Sequence, residues 1–218
     1  MPERKIIWFL VIAAVACSIL SVVTVPNNDY FSLVNSFSVG FVISVVFYFI
    51  VVYFPENQRK ARIYRSMELQ YRVFKESCIS TFLVLSDSQE YEYKENLLNQ
   101  EEFRRYFKNN NGRNENRWDA VVNGIQGNEY YLNEIIYELR MLNEEIKFIR
   151  SSVDIHDEDV FQFLKRLSHM IHRMESTKPD YDDIKSFCGF LWSLFTGWSF
   201  IDGYRKTDIV TEMLERIK

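Results

Sequence analysis

The chain has 218 residues, room for one ordinary domain and an appendage, with 26 Lys and Arg against 30 Asp and Glu for a formal net charge of −4. That balance argues against a general nucleic-acid partner, which needs a positive surface to displace counterions from phosphates. Cys17, Cys78 and Cys188 fall in separate apolar-rich segments without paired spacing, so neither a disulfide framework nor a zinc site is indicated and a reducing cytosol suits them.

Two uncharged runs open the chain, Ile6 to Val25 with 20 residues and Ser36 to Phe54 with 19. At ~1.5 Å rise per residue each is about 28–30 Å long as a helix, the thickness of a bilayer's hydrocarbon core. The sequence therefore predicts a transmembrane hairpin over residues 1–54, with spans at about 6–25 and 36–54. Arg4 and Lys5 precede the first run, the connection from Pro26 to Asn35 carries only Asp29, and cations crowd behind the second run. The positive-inside rule then puts both termini in the cytoplasm with a short loop outside. A secretory signal is the rival for the first run, because "ERKIIWFLVIAAVAC" combines a basic start, an apolar stretch and a cleavage-like Ala-Val-Ala-Cys. The residues after Cys17 are apolar where a polar linker should follow, which favours an uncleaved helix.

Small residues recur at four-residue spacing, Ala13, Cys17 and Ser21 in the first run and Ser36, Gly40 and Ser44 in the second. Each set falls on one helical face and permits close backbone approach. The simplest expectation is that these faces pack the hairpin on itself; the alternative packs copy on copy in a ring, with Ser36 and Ser44 lining a polar path. No charge lies inside either run, so a proton relay, voltage sensor or substrate-coupled transporter has no residue to carry it.

"FIVVYFPENQRKARIYR" is apolar through Phe54, then has Pro55, then Arg59, Lys60, Arg62 and Arg65. Beside a membrane these four cations are expected to hold anionic lipid headgroups. Pro55 suits the first turn of a helix, and Ile63, Met67, Tyr71, Phe74, Cys78, Phe82 and Leu85 keep helical spacing. That predicts that the second run continues, kinked at the proline, as a stalk helix over about 56–86, opening a cytosolic helical domain over 55–218.

Asp87 to Lys108 reads as a loop and a shorter helix burying Leu97, Leu98, Phe103 and Phe107, and "NNNGRNEN" reads as a loop. After Gly127, Leu132, Ile135, Leu139, Leu142, Ile146, Ile149 and Val153 alternate three and four apart, an a/d seam. A turn with Asp157 as cap leads to a second seam, Val160, Phe163, Leu167, Met170 and Met174. The two predict an antiparallel, coiled-coil-like hairpin over about 128–175, its seam closed within the chain or paired between copies. Ser186 to Ile201 is uncharged for 16 residues and predicts a buried helix over about 183–202, in which Trp192 and Trp198 belong either to the core or to a membrane interface. A last amphipathic helix over about 206–217 uses Ile209, Met213, Leu214 and Ile217. The expected fold class is all-α, a hairpin of spans followed by a helical bundle.

Little in the chain points to chemistry. His169 and His172 stand three apart without a third ligand at recognisable spacing, and His156 sits between Asp154 and Asp157 in a turn. Phosphate loop, nucleophile elbow and paired-cysteine ligand set are all missing, so the reading is a non-enzyme with no cofactor and no metal. Tyrosine-dense "EYEYK" and "NEYYLNE" offer a partner surface, since tyrosine is enriched at interfaces.

Two spans joined by a short external loop, then a cytosolic helical body without a catalytic motif, resemble the small two-transmembrane effectors of bacterial anti-phage defence. The resemblance covers the architecture of the whole chain and no shared residue motif. It implies a homo-oligomer of the bacterial inner membrane, held inactive until a cytosolic protein partner or a signal releases it to perturb or open the bilayer of its own cell. A reading from another class is a passive anchor whose bundle recruits a cytosolic partner.

Overall fold

The computed structural model describes residues 2–23, 29–110, 115–199, 201 and 203–217. The chain is mostly helical and divides into two compact units, Met1–Ala61 and Arg62–Lys218.

In the first unit α1 (Pro2–Val23) packs on α2 (Asp29–Tyr48), and a π-helical turn (Phe49–Tyr53) leads into α3 (Phe54–Leu85). Pro55 explains that turn. It has no N–H to give to the carbonyl four residues back, and the ladder widens just before it, with the Phe54 N–H donating to the Phe49 carbonyl. The helix therefore runs on through the proline, from Asn35 to Leu85, so that the second apolar run and the stalk are one helix. By length and composition it is long and apolar enough to cross a membrane, whereas the described apolar stretch of α1, Ile7–Leu20, is shorter than that measure.

The second unit holds the rest of α3, a 3₁₀ turn (Lys94–Leu98), α4 (Gln100–Lys108), α5 (Arg117–Gly127), α6 (Glu129–Ser152), α7 (Glu158–Met174), α8 (Tyr181–Thr196) and α9 (Ile209–Glu215). The N-termini of α4 to α9 are each capped by an Asn or Asp side chain that accepts amide hydrogens: Asn99, Asn116, Asn128, Asp157, Asp180 and Asp208. An aromatic cluster ties α3, α4 and α8 together, with Phe82 edge-on to Phe103, Phe107 and Phe195 at centroid distances of 5.3–6.2 Å.

Three details differ from the pattern in the sequence. α5 was hidden by the Asn and Gly residues around it; it passes close to α3, where a Cβ on Gly124 would come 2.7 Å from the end of the Leu85 side chain. The buried row of α7 is Val160, Leu164, Leu167 and Ile171, with Met170 exposed and Phe163 and Met174 only part-buried. Finally α8 stops at Gly197 (φ +66°), a left-handed residue that ends helices readily, and Trp198–Ser199 (β1) then pairs antiparallel with Gly203–Tyr204 (β2). The helix expected over about 183–202 is thus present as far as Thr196, and Trp198–Ser199 belongs to a short ribbon.

Candidate functional site

A lysine lies among the core residues of α3. Lys75 follows Phe74 on the row Tyr71, Phe74, Cys78, and its side chain is 6 % exposed. Its Nζ donates to the Leu98 carbonyl at 2.9 Å and to Asp208 Oδ2 at 3.1 Å. The Tyr71 hydroxyl, one turn earlier, donates to the same carboxylate oxygen at 2.8 Å. Asp208 meanwhile caps α9, accepting the Val210 amide at 3.0 Å and the Thr211 amide at 3.4 Å. One carboxylate thus joins the start of α9 to the middle of α3. Burial pushes the Tyr71 hydroxyl well above its ordinary pKa, and the adjacent Asp208 charge pushes the same way, so Tyr71 stays a donor.

A cleft of about 600 Å³ opens beside this cluster, with Arg65, Arg72, Glu68 and Glu95 on its walls together with Leu69 and Leu214. The charges are mixed, and the buried lysine is already satisfied. The arrangement can hold a helix in place; it presents no nucleophile with a base. The far end of α9 is also tied: Arg216 reaches the start of α7, with Nη2 2.8 Å from Asp157 Oδ2 and 3.1 Å from Asp159 Oδ2. Burial pushes the Asp157 carboxyl up, but hydrogen bonds from Arg216 and from the Val160 and Asp159 amides outweigh it and hold the group below the usual carboxylate range.

The residues singled out in the sequence fall in several places. Ala13 and Cys17 are half-buried in the first unit, while the Ser21 side chain lies outside the described residues. Ser36, Gly40 and Ser44 are exposed, a Cβ on Gly40 would meet nothing within 4 Å, and among the described side chains of α2 the buried ones are instead Ser38 and Val45. Arg59, Arg62 and Arg65 are exposed and Lys60 half-buried, with Arg59 3.6 Å from Glu56. Leu132, Ile135, Leu139, Leu142, Ile146 and Ile149 are all buried in the core of their own chain. Trp192 packs on Trp118 at 5.0 Å at the edge of that core, and Trp198 is half-buried in β1. His169 and His172 are exposed, and His156 Nδ1 lies 3.5 Å from Asp154. Tyr91 packs on Tyr106 at 4.4 Å, while Tyr93 and Tyr130 are exposed.

Local pattern does not mark the Lys75 cluster, since the lysine follows Phe74 beside an unbroken apolar row and its carboxylate lies 133 residues away. Comparison with family models, curated proteins and solved structures finds no match.

Proposed function

We propose that the protein is an integral membrane protein that acts on the bilayer holding it, a two-span effector or sensor subunit of a bacterial defence system, with its helical domain in the cytosol. The observation that carries the reading is apolar surface left uncovered. Trp8, Phe37 and Phe47 are 67 %, 73 % and 64 % exposed, and only 11 % of the most apolar window of the Asn35–Leu85 helix is buried. A core helix of a water-soluble protein would be covered by its neighbours, and so many uncovered apolar side chains along one helix call for lipid or another protein. The Ser36 and Ser44 hydroxyls support the same reading, because they donate back to the Ser32 and Gly40 carbonyls at 3.0 and 2.8 Å, the internal pairing a polar group needs in hydrocarbon.

In this reading the face of Ser36, Gly40 and Ser44 meets other copies of the chain. A Cβ at Gly40 would meet nothing within 4 Å in the single chain, so in this reading the effect expected of Gly40→Leu is one on contacts between molecules. The Lys75–Asp208 contact with α9 is where a cytosolic partner or signal would act on α3.

The test is membrane potential in bacteria expressing the full chain, a Gly40→Leu variant or residues 56–218, with and without the genomic neighbours. Depolarisation by the full chain, weakened by Gly40→Leu and lost without the spans, is the expected result. An unchanged potential throughout, with the chain in the membrane and the neighbours present, overturns the reading and leaves an anchor that recruits a partner.

A further inference from the structure

With the Leu132–Ile149 row consumed by its own core, association of copies through the helical unit needs another surface, and the opposite side of α6 offers one. Tyr130, Tyr137, Met141 and Phe148 are spaced seven, four and seven apart, hence aligned along one line of the helix, and are between 41 and 61 % exposed. Four large apolar side chains in heptad register on the outside of a long helix form half of a coiled-coil seam.

We propose that this face of α6 pairs, in parallel, with the same face of a second copy of the chain. The charges beside the seam decide both the occupant and the direction. Glu138 and Glu145 lie along one edge, Arg140 and Lys147 along the other. Parallel helices bring opposite edges together, with a residue on one edge facing the residue about five positions further along the partner. Arg140 then faces Glu145 of the second copy, twice by symmetry. Antiparallel pairing would set the acidic edge against its own kind and the basic edge against its own kind, a like-charge arrangement that costs stability.

Both members of the proposed pair are weakly used at home. One carboxylate oxygen of Glu145 is buried without a hydrogen-bond partner, and Arg140 reaches only as near as 4.0 Å to Glu175. Glu138, by contrast, already accepts the Ser77 hydroxyl at 2.9 Å. Glu134 and Glu144 interrupt the apolar line, although Lys147 neutralises Glu144 at 2.8 Å. The pairing is therefore weak in dilute solution and forms where a membrane concentrates the copies and gives them one direction, which is the one respect in which it rests on the proposed function.

The experiment is oxidative crosslinking of the full-length chain in bacterial membranes, in a Cys17→Ser background whose remaining thiols, Cys78 and Cys188, are each 1 % exposed. Tyr130→Cys, Met141→Cys and Phe148→Cys are each expected to give a disulfide-linked dimer. Arg140→Glu lowers the Met141→Cys yield by about tenfold, and adding Glu145→Arg restores it. Crosslinking at Met141→Cys alone would mean an antiparallel pair and overturn the proposal, as would no crosslink at any site or a failed charge swap. Retention of the chain in carbonate-washed membranes is read on the same samples. Retention without crosslinks sinks the pairing and spares the membrane reading, and crosslinks from chain that washes off do the reverse.

Discussion

Lys75 shows how one side chain can tie the end of the chain to its middle. A lysine with 6 % of its side chain exposed carries a desolvation cost that only a close carboxylate and good hydrogen bonds offset, and Asp208, Tyr71 and the Leu98 carbonyl supply them. Removing the cation alone leaves Asp208 part-buried with a tyrosine hydroxyl and two amides. Lys75→Met is therefore expected to destabilise the second unit by about 3 kcal/mol, and amides of α9 should exchange with deuterium much faster. Adding Asp208→Asn, which keeps the cap and removes the stranded charge, should recover part of the loss. Unchanged exchange in α9 would show that the contact does not hold it. The lysine stands beside the apolar row of α3, which runs unbroken through Tyr71, Phe74 and Cys78, so its burial was not legible; nor was the aspartate, because a tertiary partner far along the chain leaves no local signature.

Pairs of helices depend on similar small devices. Asn143, fully buried on α6, accepts from the Ser168 hydroxyl at 2.7 Å and donates to Glu175 at 3.3 Å, fixing the antiparallel register of α6 and α7. Ser168→Ala leaves a buried acceptor without its donor, and a loss of about 1–2 kcal/mol in urea unfolding is expected. That register could not be read from the seams. The seam proposed for α7 through Phe163 and Met170 and the one it buries through Leu164 and Ile171 differ by a single residue, and both keep the three-and-four spacing, so packing decides between them. The α7–α9 clamp gives a pH dependence of defined sign. The Asp157 carboxyl is held below its unfolded value, so its contribution is present above the ordinary carboxylate pKa, about 4, and is lost as pH falls through the lowered folded value. Melting temperatures of the parent and of Arg216→Ala should differ at pH 7 and converge on acidification. A difference that persists in acid would assign the stabilisation to Arg216 packing on Met213 instead of to the ion pair.

For the molecule as a whole, the sequence conveys the helical class and the two runs of apolar residues directly, because neither depends on long-range contacts. It does not convey where helices end when a glycine in the left-handed region turns the chain, as at Gly197, where a Cβ would come 2.5 Å from the Gln100 amide oxygen. The cation belt behind the second run belongs to this scale too, since orientation in a membrane is a property of the complete chain. Arg59, Lys60, Arg62 and Arg65 follow the run within eleven residues of Phe54, inside the distance over which Lys and Arg bias topology. In the proposed topology each cation near an anionic surface contributes about 1 kcal/mol, so replacing all four with serine is expected to remove about 4 kcal/mol of preference for the cytoplasmic side, less whatever Arg59 already shares with Glu56. A green fluorescent protein fused at the C-terminus should be bright on the parent chain, and alkaline phosphatase fused there should be inactive. After the four replacements, phosphatase activity should appear as a fraction of chains inserts the other way, with Arg4 and Lys5 left as the remaining bias. An active phosphatase on the parent chain would place the helical unit outside the cytoplasm and remove the cytosolic partner from the proposed mechanism.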